Sequence, residues 1–146
     1  MDVYRDLKEN LEKIKDFLKD HQFEKNDVAV FDIDETLIDK QGHPIKPVVD
    51  FYHFLKERIP IFIITARPDY KLTIEYTQLQ LNANGITDYK CLYFRNLSNT
   101  NIYKYKLLAR KNICDKGYNI VISIGDKEWD IGEYGGFGII VKKDNS

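Results

Sequence analysis

The sequence predicts an α/β domain, a parallel sheet held between two layers of helices. Apolar runs at residues 28–31, 59–64, 91–94, 119–124 and 138–141 are continuous and do not alternate, the mark of strands buried on both faces. Stretches with helical spacing separate them, which makes successive strands parallel neighbours joined by crossover helices. Polar residues suited to chemistry stand where several of these runs end: Asp32 and Asp34 after the first, Thr65 after the second, Asp126 and Asp130 after the fourth.

Each element has its own signal. Val3, Leu7, Leu11, Ile14 and Leu18 recur at steps of three or four among Lys, Glu and Asp, so an amphipathic helix is expected within residues 1–22. Its stripe is expected to lie on the body of the domain, with a dimer seam or a roof over the strand ends as the sharper alternative. Residues 37–45 form a short excursion that turns at Gln41-Gly42. Pro47 suits the first turn of a helix directing Val48, Phe51, Phe54 and Leu55 inward. Pro60 stands near the start of the second strand, where a missing N–H does least harm. A helix over residues 68–84 stops at Gly85, and another runs from about Tyr103 to Gly117 before the fourth strand.

Length and composition narrow the function classes. A chain of 146 residues is one domain, 1–146, with its core expected over 28–141. Charged residues make up 31% yet the formal net charge is −1, which argues against a general nucleic-acid binder or a binder of anionic membranes. No apolar run is long enough to span a bilayer and the first twenty residues are charged throughout, so a cytoplasmic protein is expected. Cys91 and Cys114 are too few for a disulfide framework or a four-thiol zinc site and read as small buried hydrophobes.

The acids at the strand ends need a physical reason. An ionised carboxylate beside a core is costly unless a cation answers it, and a hard divalent ion such as Mg²⁺ prefers oxygen ligands of this type. In open α/β sheets, ligands collect at the carboxyl ends of strands where the chain order reverses, so loops distant in sequence converge there. Two carboxylates spaced as Asp32-x-Asp34 approach one reacting centre, where one can attack and the other can carry a proton.

Four ordered segments resemble the motifs of the haloacid dehalogenase (HAD) superfamily: residues 31–37 (Phe-Asp-Ile-Asp-Glu-Thr-Leu), Thr65-Ala66-Arg67, Lys106, and residues 125–130 (Gly-Asp-Lys-Glu-Trp-Asp). Tyr105-Lys106, Arg110, Gly117-Tyr118 and the Trp-containing Gly-Asp turn most resemble the class B and plant-type acid phosphatases. The resemblance implies a three-layer, Rossmann-like fold and a phosphomonoester hydrolase working through an aspartyl-phosphate. Asp32 would be the nucleophile, Asp34 the proton donor and then the base, and Thr65, Ala66, Arg67 and Lys106 the residues that meet the phosphoryl group. Mg²⁺ would be held by Asp32, the Asp34 carbonyl, Asp126 and Asp130. Thr36 is expected to support Asp34 from the turn. Lys104 competes with Lys106 for the motif position, Arg67 could instead anchor a loop carboxylate, and His43 in the excursion could touch a substrate.

About thirty residues lie between Asp34 and Thr65 and about forty between Thr65 and Lys106, enough for a helix, strand and turn but not for a cap domain. An open site is therefore expected, taking a phosphorylated small molecule or macromolecule unless a partner subunit or the N-terminal helix covers it. Two alternatives stand beside hydrolysis: phosphotransfer or nucleotidase action within the superfamily, and a metal-binding phospho-acceptor module without turnover. A homo-oligomer is compatible with the sequence.

Overall fold

The computed structural model describes residues 2–146; Met1, the first residue of the expected N-terminal segment, lies outside them. In chain order the elements are α1 (Arg5–Leu18), β1 (Asp27–Phe31), α2 (Lys46–Lys56), β2 (Ile61–Pro68), α3 (Lys71–Ala83), β3 (Cys91–Arg95), α4 (Ile102–Asp115), β4 (Asn119–Gly125), a 3-10 turn at Glu128–Asp130, and β5 (Phe137–Ile140). The strands make one five-stranded sheet in the order β3-β2-β1-β4-β5, and every pairing is parallel. The described residues contain no cap domain, and none of their helices is long and apolar enough to cross a membrane.

The chain steps outward from β1 to β3, then returns through α4 to lay β4 on the other side of β1. The order therefore reverses between β1 and β4, the two strands whose ends carry Asp32 and Asp126. One face of the sheet packs a large cluster including Phe31, Phe51, Tyr52 and Leu55 together with Leu7, Leu11 and Leu18 of α1. The other face packs Val28, Val30, Phe62, Ile64 and Ile120 against Tyr105, Ala109 and Ile113 of α4.

The helical stripe of α1 lies on the body of the domain, as its period requires: Leu7, Leu11 and Leu18 are buried, while Val3 falls before the helix and stays exposed. β2 continues beyond the apolar run to Pro68, so Thr65, Ala66 and Arg67 belong to the strand and not to a loop after it. The cause is a register shift between Ile64 and Pro68 that lets the polar end remain beside β3. The Asp69 amide extends this by donating to the Arg95 carbonyl at 3.1 Å, which delays α3 to Lys71.

Candidate active site

β1 ends in a tight turn. The Thr36 and Leu37 amides both donate to the Ile33 carbonyl, at 3.1 and 2.9 Å, and Glu35 takes a left-handed φ of 57°. Asp32, one residue past β1, is pinned by its own amide to the Ile124 carbonyl of β4 at 3.0 Å, so the first acid is fixed to the strand that delivers the others.

β4 ends at Gly125, and the 3-10 turn folds Asp130 back over it. A Cβ at position 125 would fall 2.1 Å from the Asp130 Cβ, so only glycine leaves room for this acid. Asp130 Oδ2 accepts from the Lys127 amide at 3.2 Å and closes the turn. Carboxylate oxygens of Asp32, Asp126 and Asp130 lie within 4.8 Å of one another. Asp130 Oδ1 is buried, sits 2.6 Å from Lys106 Nζ as an ion pair, and lacks an aligned hydrogen-bond donor. Three hard oxygen donors at this spacing, one of them buried and under-satisfied, fit a small divalent cation.

Lys106 reaches the acids from α4. Its ammonium, 2% exposed, donates to Asp32 Oδ1 at 2.9 Å and to the Ile64 carbonyl at 2.7 Å. Burial alone would lower the pKa of this lysine, but Asp32 and Asp130 outweigh it and raise the value above that of a free lysine. The pKa of Asp32 is raised as well, but for the opposite reason. Its burial, with Asp130 and Asp126 adding repulsion, lifts its pKa to about 8 against the opposing pull of Lys106. That push favours the protonated carboxyl, and a cation held among the three acids would oppose it.

Asp34 is placed differently. Its side chain is 59% exposed, and both oxygens accept from Arg67, Oδ2 from Nε at 3.0 Å and Oδ1 from the terminal nitrogen at 2.8 Å. The remaining Arg67 nitrogen donates to the buried Thr77 hydroxyl of α3 at 3.0 Å. Of the two roles open to Arg67 in the sequence, this bidentate fork is the anchoring of a loop carboxylate.

Thr65 is fully buried, with its hydroxyl oxygen accepting from the Arg67 amide at 3.1 Å and its carbonyl accepting from the Tyr105 hydroxyl at 2.8 Å. Thr36 does not reach the Asp34 carboxylate; its hydroxyl lies 3.4 Å from Asp32 Oδ2 and 3.5 Å from the Asp34 carbonyl. The tight turn after Ile33 directs it back toward the strand end, so its support goes mainly to Asp32. Lys104 is exposed, and its amide is capped by Asn101. His43 is also exposed and serves the excursion through its backbone, which is tied to Asp39.

A cavity of about 160 Å³ opens among these groups, and Asp32, Asp34, Ala66, Lys106, Asp126 and Trp129 are in its wall. It is large enough for a phosphoryl group but leaves the rest of a substrate outside. Two residues act on it through others. Arg110, 1% exposed, donates to the carbonyls of Trp129 at 2.7 Å and Glu133 at 2.9 Å, fixing the turn that carries Asp130. Tyr105 fixes the end of β2. In the sequence both stand out only by their spacing from Lys106.

A family model for the HAD superfamily, subfamily IIIB (acid phosphatase), matches residues 39–144 of the chain. The chain belongs to this family. As an acid phosphatase of subfamily IIIB it is a phosphoric monoester hydrolase. No curated protein is matched at a significant level. The matched span begins at residue 39, so it contains Thr65, Lys106, Asp126 and Asp130 of the phosphatase but not Asp32 or Asp34. Those two acids join the site by geometry: β1 and β4 run side by side, and Lys106 binds Asp32 and Asp130 together.

Proposed function

We propose that the protein is a Mg²⁺-dependent phosphomonoester hydrolase that forms an aspartyl-phosphate on Asp32. One observation carries this reading: three carboxylates from the ends of two adjacent strands meet within 4.8 Å, and a buried lysine bridges two of them. Mg²⁺ would be held by Asp32, Asp126, Asp130 and the Asp34 carbonyl. When bound it supplies the positive charge that keeps Asp32 ionised and offsets charge on the phosphoryl oxygens.

Asp32 attacks phosphorus with one carboxylate oxygen as the bond from phosphorus to the leaving oxygen breaks. Lys106 grips Asp32 Oδ1 and so sets the rotation of the nucleophile, while its charge offsets that of the transferring group. Asp34 gives a proton to the leaving oxygen and then takes one from the water that attacks the phosphoaspartate, which returns Asp32 to a carboxylate. Arg67 takes up one acceptor site on each Asp34 oxygen, so the proton would be carried at one of the remaining sites. Ala66 of β2 is in the cavity wall with the buried Thr65 behind it, where they would meet the phosphoryl group, and the substrate's remaining groups would extend out of the open mouth.

The test is hydrolysis of p-nitrophenyl phosphate with Mg²⁺, combined with mass spectrometry of acid-quenched protein. Turnover abolished by EDTA and by Asp32→Asn, with a phosphoryl group trapped on the peptide containing Asp32, is the expected result. Undiminished turnover by the Asp32→Asn variant would refute the assignment.

A further inference from the structure

Beside the catalytic cavity lies a second one of about 240 Å³, and Glu35, Asp126 and Lys127 belong to the walls of both. The outer cavity is completed by Tyr4, Val141, Lys142, Lys143 and Ser146. These groups come from four separate parts of the chain: the residue preceding α1, the turn after β1, the turn after β4, and the segment following β5.

Lys142 and Lys143 are exposed, yet the backbone that bears them is tied at both ends. The Val141 amide donates to the Gly125 carbonyl at 2.8 Å and the Asp144 amide to the Val3 carbonyl at 2.8 Å. Asp144 Oδ1 in turn accepts from the Asp6 amide of α1 at 3.0 Å. The two lysines are thus held in a short span between the motif glycine and the start of α1, against the cavity.

The cavity's chemistry is that of a receptor for anions. Three ammonium groups line it against two carboxylates. One of these, Asp126, is a member of the metal-binding triad and now pairs with Lys127 at 3.0 Å. A cation held by Asp126 would compete with Lys127 for that carboxylate, leaving Glu35 as the other acid among the lining residues. The Tyr4 phenol adds a neutral donor, since burial and the nearby Glu35, Asp39 and Asp126 keep its proton in place. The Glu35 carboxylate, in the walls of both cavities, is the acceptor that a hydroxyl of the leaving group would meet.

We propose that the outer cavity binds the leaving-group side of the substrate and selects a phosphomonoester whose leaving group carries hydroxyls and a second anionic group. Phosphorylated sugar acids and sugar bisphosphates have this chemistry. The inference rests on the phosphatase reading of the neighbouring site and adds to it the class of substrate.

Sorbitol 6-phosphate and 6-phosphogluconate differ at one terminus, a hydroxymethyl group in one and a carboxylate in the other. Steady-state kinetics on the Mg²⁺-loaded protein should give a KM about tenfold lower for 6-phosphogluconate, as several partly screened lysines together would produce. The difference should shrink to about twofold in the Lys142→Ala, Lys143→Ala double variant, which leaves Lys127, and return in the corresponding double arginine variant. Where a compound is not turned over, its inhibition constant against p-nitrophenyl phosphate supplies the same comparison. Equal values for the two compounds in the native protein, or a preference undiminished in the double alanine variant, would overturn the proposal. Failure to hydrolyse p-nitrophenyl phosphate and both sugar esters would instead overturn the underlying phosphatase reading.

Discussion

The face of the sheet covered by α1 and α2 buries Phe31, Phe51, Tyr52 and Leu55 in a continuous apolar layer, with Phe31 and Tyr52 meeting edge to face at 5.3 Å. The face covered by α4 buries fewer apolar side chains and interleaves them with Lys106, Arg110 and the Tyr105 hydroxyl, each bonded to a strand end or to the motif turn. The two faces thus divide the work: one supplies burial, the other spends part of its interior on holding charges in place. Removing a side chain from the first should cost stability with little change in chemistry per folded molecule. Removing one from the second should do the reverse unless the group also neutralises a buried charge.

Lys106 is the place where both costs should appear. Lys106→Met leaves Asp32 and Asp130 buried without their shared cation. It should lower turnover on the order of 1,000-fold and destabilise the fold by about 3–5 kcal/mol, read by p-nitrophenyl phosphate kinetics and urea unfolding. The exposed Lys104 replaced by Met should change neither, which separates the two candidate lysines. On the apolar face, Leu55→Ala should cost about 2–5 kcal/mol in the same unfolding experiment and leave kcat, corrected for the folded fraction, near the native value.

Gly125→Ala tests the fold of the motif turn itself. Because the new Cβ would fall where the Asp130 side chain now lies, Mg²⁺ affinity should drop roughly 10–100-fold, measured by calorimetry, while the far face stays intact. Smaller again is the expected pH effect. The Asp32 pKa, raised from 3.8 to about 8, means that the folded, metal-free protein holds a proton which the unfolded chain has already lost between those limits. This contribution to stability is present at low pH and fades as pH rises toward 8. A divalent ion reverses the disadvantage of ionising Asp32, so the rise in melting temperature on adding Mg²⁺ should be greater at pH 8 than at pH 5. An equal rise at both would contradict it. Among the substitutions expected to act, the smallest change belongs to Arg110→Lys, which keeps a charge but loses the two directed bonds; roughly tenfold in kcat with little loss of stability would mark it as a positioning residue.

Much of this arrangement was legible in the amino-acid order. Continuous apolar runs signalled a parallel sheet, and Asp32, Asp126 and Asp130 signalled a cation because acids at the ends of buried strands lack a packing reason. Lys106 could be separated from Lys104 only by its spacing to Arg110 and Gly117; the fold shows why, since two steps along a helix turn a side chain to another face. The end of β2 was harder, because Thr65, Ala66 and Arg67 stay beside β3 through an irregular register and not through apolar character. The partner of Arg67 was not legible either. Its contact with Asp34 joins residues 33 positions apart, and Lys142 and Lys143 of the outer cavity reach the site through a tail segment with no motif of its own.

The seclusion of Lys106 sets it apart for chemical labelling. Reductive methylation reaches amines that meet solvent, so Lys104, Lys127, Lys142 and Lys143 should take up methyl groups while Lys106 stays unmodified until the domain opens. A peptide map of methylated protein would then report in one spectrum which amines face the medium, with the silent one marking the interior wall of the acidic cluster.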